Sequence, residues 1–376
     1  EIGVRVGFFK PISQVTNSNG DHSVHFAKEI NHIDSPTAIP LSQAQALLSR
    51  GDKGLLMELI IENFHQVKQK HDVIIIEGIV PTQDEPYTTQ LNKDIANSLD
   101  AEIVLVIPMH TLSAPLDTNE LDTHIHTAIS TFGSVKKNII GCILNKVNNS
   151  DTDISEKEGI EIAEAPERNS APKSTPILSQ FSLAQCKSFS DDFKLIAQIP
   201  LTPSLQAPRV VDIANEFRFS PLQYPKGFDD PSNDEQMLLR RVQKISICAR
   251  SVSNLVSALT PGCLLVTPGD RSDVLLAACM AAQNGTPLAG IVLTGNYQPD
   301  IQILSLCLPA LKTGLPILCT PHDTFETAIS LSKLENKVPL NDLSRIDAVM
   351  STVSTHLDTS WLKQHCEQER ATRLSP

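Results

Sequence analysis

Three polar side chains in the first half of the sequence follow apolar runs of the kind that forms buried strands. Lys10 comes directly after one such run, Glu77 closes another, and Asn145 follows a third. In open α/β sheets the carboxyl ends of parallel strands line the ligand crevice. A lysine there can clamp a phosphate, and a carboxylate can hold or orient Mg²⁺. Each has a plainer alternative: a solvated lysine, a polar residue that marks a strand end, and a common Asn-Lys turn.

A second group of candidates lies in the second half of the chain. The segment 267–273, Thr-Pro-Gly-Asp-Arg-Ser-Asp, links a predicted strand to a predicted helix. Its charged side chains are Asp270, Arg271 and Asp273, and Thr294 stands just past the next strand. The repeated placement predicts a shared crevice for a small ligand or an interface. Capping of the following helix by Asp270 or Ser272 explains much of the same segment.

Several other kinds of site are poorly supported. No phosphate loop of the form Gly-x-x-x-x-Gly-Lys-Ser/Thr occurs, because 51–54 lacks both the spacing and the hydroxyl. His22 and His25, like His124 and His126, lack a third ligand at a suitable spacing, so we interpret them as surface histidines. No nucleophile elbow occurs and no cysteine motif marks a nucleophile. We predict neither a catalytic residue nor a metal site nor a bound cofactor in this chain.

The elements that must position these residues alternate between strands and helices. The apolar runs 4–9, 73–76, 103–107 and 139–144 are typical of parallel strands that are buried on both faces. Between them lie helical patterns, of which 54–70 is the clearest. A second series of strands and helices runs from 244 to 334. The sequence therefore predicts two doubly wound α/β domains with mainly parallel sheets.

Composition shifts along the chain predict the domain boundaries. We expect a first domain at 1–217, a linker at 218–243, a second domain at 244–358 and a tail at 359–376. Residues 148–175 turn polar and acidic, which predicts a mobile insertion in the first domain. The chain begins without methionine and its first residues already belong to a predicted strand, so we expect that a segment has been removed upstream. The charged tail ends without a cap or a core of its own, so we also expect a segment missing downstream.

The length and charge of the chain exclude some classes of partner. The 376 residues carry 43 acidic and 31 basic side chains, a net charge of −12, which argues against nucleic acid or an anionic membrane as the main partner. The eight cysteines are scattered through apolar runs without metal spacing, and no run is long enough to span a membrane. These features predict a cytoplasmic protein with reduced thiols.

Taken together, a set of ordered segments resembles the long bacterial form of phosphate acetyltransferase. The segments are Gly-Val-Arg-Val-Gly-Phe-Phe-Lys-Pro-Ile (3–12), Ile-Ile-Glu-Gly-Ile-Val-Pro-Thr (75–82), Leu-Asn-Lys-Val-Asn (144–148), Ser-Ile-Cys-Ala-Arg-Ser (246–251), Leu-Leu-Val-Thr-Pro-Gly-Asp-Arg-Ser-Asp-Val (264–274), Val-Leu-Thr-Gly-Asn-Tyr (292–297), Thr-Gly-Leu-Pro (313–316) and Arg-Leu-Ser-Pro (373–376). They run from one end of the chain to the other.

The resemblance implies a fold for each domain. The first domain is similar to dethiobiotin synthetase, a P-loop fold whose first strand and phosphate loop would precede residue 1. The second resembles the DRTGG domain, although Asp270-Arg271-Ser272-Asp273 stands where the motif has Thr-Gly-Gly. Lys10, Glu77 and Asn145 match positions that line the crevice of the synthetase-like domain. The family's catalytic domain, which binds coenzyme A and phosphate, would follow residue 376.

The resemblance also implies a function. The full-length family interconverts acetyl-CoA and phosphate with acetyl phosphate and coenzyme A, and this region would be its regulatory and oligomer-forming part. The implied partners are an effector such as pyruvate, NADH or a nucleotide, and further copies of the chain. Two alternatives stay open: an ATP-dependent ligase of the dethiobiotin synthetase class, and a scaffold that only binds proteins.

Overall fold

A computed structural model describes most of the chain and divides it into two compact units. The described residues are 4–15, 21–81, 87–109, 118–133, 138–147, 186–190, 192–224, 235–334 and 337–374. The first unit takes its described residues from Glu1–Asp151, Ser174–Leu201 and Asp347–Pro376, and the second takes them from Thr202–Ile346. The predicted acidic insertion at 148–175 lies outside the described residues.

The described residues of the first unit form three small parallel sheets. Its strands are β1 (Val6–Phe9), β2 (Ile12–Ser13), β3 (Ile39–Pro40), β4 (Val73–Ile76), β5 (Ile103–Pro108), β6 (Ile139–Val147) and β7 (Lys194–Pro200). β1 pairs with β4, β2 pairs with β3, and the third sheet has the order β5-β6-β7. The prediction of an α/β fold with parallel strands is confirmed here.

Helices pack against these strands in two cores. They are α1 (His22–His25, continued by a π-helical turn at Phe26–Ile30), α2 (Leu41–Ser49), α3 (Lys53–Lys68), α4 (Thr88–Ser98) and α5 (Thr118–Thr131). In α3 the apolar residues Leu56, Ile60 and Phe64 recur every four positions, so they share one face and pack in a core with Phe9 and Ile12.

The opposite side of two strands is open to solvent. Ile75 of β4 is exposed, and so are Val104 and Val106 of β5, while their strand neighbours face the cores. The prediction that these runs are buried on both faces is therefore wrong for β4 and β5, and also for β1, where Val6 is exposed. An apolar run shows that a strand could be buried on both faces. It does not show that other elements actually cover both faces.

The second unit is a single five-stranded sheet between two helical layers. Its strands are β8 (Ser220–Pro221), β9 (Lys244–Ile247), β10 (Cys263–Pro268), β11 (Gly290–Thr294) and β12 (Ile317–Cys319), in the order β8-β12-β11-β10-β9. All pairs are parallel except β12 with β8. β10 and β11 are buried along almost their whole length, as continuous apolar strands should be.

The helices that follow are α6 (Pro203–Gln206), α7 (Val210–Phe217), α8 (Val252–Leu255, continued by a 3₁₀ turn at Val256–Ala258), α9 (Ser272–Gln283), α10 (Ile301–Leu311), α11 (Thr324–Ser332), α12 (Leu343–His356) and α13 (Thr359–Leu374). A further 3₁₀ turn spans Glu235–Leu239. Helices α8, α9 and α10 share one core with the sheet, whereas α7 and α11 contribute to the core on its other face.

The units differ from the predicted domain boundaries at three places. Residues 347–358, which we expected in the second domain, belong to the first unit. Helix α7, which we expected to close the first domain, buries Val210 and Ile213 against the second sheet, so it belongs to the second unit. Strand β8 lies in the expected linker but pairs with β12. An amphipathic sequence pattern predicts that one face of a helix is buried. It does not predict which sheet that face packs against.

The expected tail is helical over its described residues, 359–374. Leu357 forms a bridge with Ala197 of β7, and the amide of Asp358 donates to the carbonyl of Ile196. Further along α13, His365 Nε2 lies 2.8 Å from Glu102 Oε2. These contacts place α13 in the first unit. Among the described residues, no helix combines the length and apolar content needed to cross a bilayer.

Candidate functional site

The structure brings Lys10 and Glu77 together at the carboxyl ends of β1 and β4. Phe9 and Ile76 are register partners in this parallel pair, and the amide of Glu77 donates to the carbonyl of Phe9. Because each charged residue directly follows its strand, the two side chains meet: Lys10 Nζ donates to Glu77 Oε1 at 2.8 Å. This juxtaposition is the one expected from strands that end at the same edge.

A third charged residue, which sequence reasoning missed, completes this cluster. Asp21 Oδ2 lies 3.1 Å from Lys10 Nζ and accepts a hydrogen bond from the Ser13 hydroxyl at 2.6 Å. Its other oxygen caps α1 by accepting from the amide of Ser23. A signal existed in the sequence, because an aspartate just before a short helix is a common N-cap. We call Lys10, Asp21 and Glu77 the lysine cluster.

The two carboxylates of the lysine cluster differ in exposure. The Asp21 side chain is 4% exposed, whereas the Glu77 side chain is 36% exposed. Burial by itself would lower the pKa of Lys10, but the hydrogen bonds and charges of Glu77 and Asp21 outweigh it and raise that pKa. Burial would raise the pKa of Asp21, but Ser13 and Lys10 lower it overall. Lys10 is therefore a fixed cation and Asp21 a fixed anion.

Backbone contacts hold the segments around the lysine cluster. Gln14 forms reciprocal hydrogen bonds with the backbone of Val80, at 2.8 and 3.0 Å. Asn92 of α4 does the same with Ile79, at 2.7 and 2.9 Å. The chain that follows Glu77 is thus tied both to the segment after β2 and to α4, which keeps Glu77 in reach of Lys10.

Asn145 forms no hydrogen bond with the lysine cluster among the described residues. It belongs to β6, pairs with Pro108 of β5, and accepts a backbone hydrogen bond from Met109. Within the described part of the chain, no hydrogen bond connects it to Lys10 or Glu77. Its proposed place in the same crevice therefore remains a prediction.

In the second unit, backbone hydrogen bonds join the loops after β10, β11 and β12. The amide of Gly269 donates to Thr294 and the amide of Gly295 donates to His322, at 3.0 and 2.8 Å. Gly269 is needed there, because a Cβ atom would lie 2.1 Å from the carbonyl oxygen of Tyr297. These loops form a continuous rim at the carboxyl edge of the sheet, where a crevice was predicted.

The predicted residues of this rim fall into two environments. Arg271 pairs with Asp273 through two hydrogen bonds of 2.8 Å and also donates to the carbonyl of Arg250. Asp270 is exposed beside them. Thr294 is instead buried, and its hydroxyl lies 2.7 Å from that of Thr324. The rim therefore offers Asp270, Arg271 and Asp273 to a ligand more readily than Thr294.

The helix that follows this loop is not capped as expected. Helix α9 has Arg271 at its N-cap position without a side-chain cap bond, so neither Asp270 nor Ser272 caps it. Thr267, at the end of β10, is fully buried, and its hydroxyl has no hydrogen-bond partner among the described residues.

No other cluster with catalytic or metal chemistry stands out in the described chain. Within the described residues, no group of three or more His, Cys, Asp or Glu side chains is arranged to hold a metal ion. The eight cysteines are free thiols, and seven of them are buried. Burial raises the pKa of the Cys248 thiol to about 11, which disfavours the reactive thiolate.

Comparison with known proteins agrees with the two units. Residues 1–209 match the family described as AAA domain, and residues 232–334 match the DRTGG domain. A solved structure of the CBS and DRTGG domains of Clostridium perfringens pyrophosphatase, with bound diadenosine tetraphosphate, matches 39% of this chain and 61% of that chain. The two chains are 16% identical and the TM-score of the match is 0.27.

Similarity to curated proteins extends over the whole chain. The phosphate acetyltransferase of Pseudomonas aeruginosa is 36% identical, and that of Escherichia coli is 33% identical. Each alignment covers 100% of this chain but only 49% or 50% of the relative. The chain spans about half the length of the curated relatives it matches. It therefore belongs to the AAA-domain family over residues 1–209, carries a DRTGG domain, and is homologous throughout to the N-terminal part of phosphate acetyltransferases.

Proposed function

We propose that this chain is the non-catalytic, effector-binding and assembly-forming region of a phosphate acetyltransferase. In the whole protein, a further domain would interconvert acetyl-CoA and phosphate with acetyl phosphate and coenzyme A. The homology of the entire chain to half of such enzymes supports this assignment. The many buried free thiols fit a reducing cytoplasm.

The lysine cluster is the observation that carries the effector-binding role. Lys10 is held between two carboxylates, so the three groups together carry a net charge of −1. A ligase that transfers a phosphoryl group needs positive charge aimed at the phosphates in the transition state. Here two carboxylates already neutralise the cation, so an anion can bind only by displacing one of them.

The unequal carboxylates indicate how a ligand would bind. Asp21 is buried and also holds Ser13 and the start of α1, so it stays in place. Glu77 is the more exposed partner and can turn away from Lys10. An anionic effector, through a carboxylate or a phosphate, would then replace Glu77 on the Lys10 ammonium. Pyruvate, NADH and nucleotides all carry such a group.

The rim of the second unit offers the same chemistry. Arg271 is paired with Asp273, whose side chain is exposed, and an anion could take the place of that carboxylate. We propose Asp270, Arg271, Asp273 and Thr294 as lining residues of this second crevice, and Asn145 as a lining residue of the first.

The test is calorimetric titration of the chain with pyruvate, NADH and ADP, each in turn. Lys10→Met should weaken binding of the effective ligand by about 10-fold or more, because a charge-assisted hydrogen bond contributes roughly 1.5–3 kcal/mol. Lys28→Met, at an exposed lysine of the same unit, is the matched control and should leave binding unchanged.

A second variant tests the exchange directly. Glu77→Gln removes the competing charge and should tighten binding of an anion. If Glu77 instead contacted the ligand favourably, the same variant would bind the anion more weakly than the wild type. Three results contradict the proposal: no binding of any of the anions, weaker binding by Glu77→Gln, or hydrolysis of ATP by the chain. The last result would favour the ligase.

A further inference from the structure

Thr267, at the end of β10, carries a buried hydroxyl that no other group in the described chain satisfies. The residue is fully buried, and its Oγ1 atom has no hydrogen-bond partner among the described residues. Other buried threonines of the second unit are satisfied: the Thr294 hydroxyl contacts that of Thr324, and the Thr327 hydroxyl donates to the carbonyl of Asp323. An unsatisfied buried hydroxyl costs free energy and needs a specific explanation, of which a bound ion is one.

The Thr267 side chain faces the start of helix α9. In β10, Leu265 packs in the core that α9 shares, whereas Val266 packs in the core on the other face of the sheet. Because successive side chains of a strand alternate between its faces, Thr267 lies on the α9 side. Only the turn 268–271 separates it from the first residue of α9, so its hydroxyl lies at the amino end of that helix.

The Arg271 guanidinium lies at the same end of α9. It donates two hydrogen bonds of 2.8 Å to Asp273 and one of 3.0 Å to the carbonyl of Arg250. Cys248, directly after β9, is level with Thr267. Burial raises the pKa of the Cys248 thiol, and the charge of Arg271 opposes that rise. The guanidinium is therefore close to the row of side chains that contains Thr267.

Asp273 acts as an internal anion at the start of α9. Arg271, and after it the amides of Val274 and Asp273, hold the pKa of the Asp273 carboxyl below its ordinary value, although burial opposes them. A cation together with the first amides of a helix is an arrangement that binds anions. The Asp273 side chain is 51% exposed, so it can turn into solvent while Arg271 keeps its hydrogen bond to Arg250.

We propose that a phosphoryl group binds at the start of α9, where it replaces the Asp273 carboxylate. Arg271 and the first amides of the helix hold two of its oxygens, and the Thr267 hydroxyl donates to a third. A carboxylate ligand would only exchange one singly charged group with two oxygens for another. A phosphoryl group brings a charge of about −1.5 to −2 and three acceptor oxygens, so it can use the guanidinium and the unpartnered hydroxyl together.

This inference rests on the second crevice of the proposed function and names the class of its ligand. The ligand carries a phosphoryl group, as inorganic phosphate and ADP do, and simple carboxylates are excluded from this site. Asp270 adds a second carboxylate beside Arg271, but it is exposed and salt and water screen its charge. Binding at the start of α9 does not depend on the lysine cluster.

The experiment is hydrogen exchange of the 376-residue chain, titrated with inorganic phosphate, ADP or acetate at constant ionic strength. Phosphate or ADP should slow exchange in peptides that contain the first turn of α9, and the lower Kd identifies the source of the phosphoryl group. Acetate should leave these peptides unchanged. Peptides around Lys10 report on the lysine cluster in the same samples, so failure at one site leaves the result at the other intact.

Three variants test the assigned contacts. Arg271→Met and Thr267→Val should each raise the Kd by about 10-fold or more, because each removes a hydrogen bond to a charged group. Asp273→Asn should lower the Kd, because it removes the competing charge. The matched control is Thr327→Val, at a buried threonine of α11, which should keep the wild-type Kd. Thr267→Val removes an unsatisfied buried hydroxyl and should keep the unit folded, so weaker binding reports the lost contact.

Three results would overturn the proposal. The first is that neither phosphate nor ADP slows exchange at the start of α9. The second is that acetate slows exchange there as strongly as phosphate does, since a carboxylate would then suffice. The third is that Thr267→Val binds with the wild-type Kd. If the peptides around Lys10 respond while those of α9 do not, this inference fails and the effector role of the lysine cluster stands.

Discussion

Loss of the Asp342 charge should destabilise the second unit strongly. The Asp342 side chain is only 2% exposed and accepts two hydrogen bonds from Arg241, the longer at 2.7 Å, while Arg209 Nε lies 3.7 Å away. The amide of Arg345 also donates to it. This carboxylate thus joins the segment before α7, the segment before β9 and the start of α12.

The expected magnitude follows from what Asp342→Asn leaves behind. The variant keeps the shape of the side chain but leaves the Arg241 guanidinium without its counter-charge, whereas Arg209 keeps its paired hydrogen bonds with Asp212. Breaking a buried ion pair costs about 3–5 kcal/mol, and we take the lower end because the Arg241 side chain is 29% exposed and water can screen it. About 3 kcal/mol corresponds to a change of roughly 100-fold in the unfolding equilibrium.

Native-state hydrogen exchange of peptides from β10 and β11 measures this change, because their amides exchange when the core of the unit opens. Asp347→Asn, at an exposed aspartate nearby, is the control and should change stability by less than about 0.5 kcal/mol. If Asp342→Asn is no more destabilising than this control, the ion network does not hold the second unit together.

The same carboxylate predicts a dependence on pH. Burial would raise the pKa of Asp342, but the hydrogen bonds and charges of Arg241 and Arg209 lower it overall. Its stabilisation is therefore fully present above the unfolded-state pKa of about 4 and is lost as the pH falls through the lower folded-state pKa. Acid sensitivity in this range should be smaller in Asp342→Asn than in the wild type.

Two other outcomes follow from the structure. Thr267→Val should raise the free energy of unfolding of the second unit by about 1 kcal/mol, measured by hydrogen exchange, because it removes a buried hydroxyl that has no partner among the described residues. Thr327→Val is the control: it breaks a hydrogen bond to the Asp323 carbonyl and should not be stabilising. Limited proteolysis followed by mass spectrometry should cut the first unit before the second, because β4 and β5 expose apolar side chains on one face; earlier cutting within 244–346 would contradict this.

The meeting of Lys10 and Glu77 was predictable because both residues end parallel strands. The carboxyl ends of neighbouring parallel strands lie at the same edge of the sheet regardless of the loop conformations. Residues that directly follow such strands are therefore close together in space. Asp21 was missed because it reaches Lys10 from the turn before α1, and no strand pattern marks such a residue. Its role as an N-cap was the available signal.

The fold class was predictable from the alternation of apolar runs, but the partition of the helices was not. The sequence of α7 predicts an apolar face, but it does not show which sheet that face packs against. Likewise, the sequence of α10 does not show which of its apolar residues are exposed. Because the helix contains no charged residue, its buried and exposed sides have similar composition. Such distinctions depend on tertiary packing.

We propose that this chain binds effectors and assembles but does not itself transfer acetyl groups. The most direct test of this claim is an assay of acetyl phosphate formed from acetyl-CoA and phosphate by the 376-residue chain, with the full-length Pseudomonas aeruginosa relative as the positive control. We expect acetyl phosphate from the relative and none above background from the chain. Acetyl phosphate formed by the chain alone would contradict the claim and place an active site within residues 1–376.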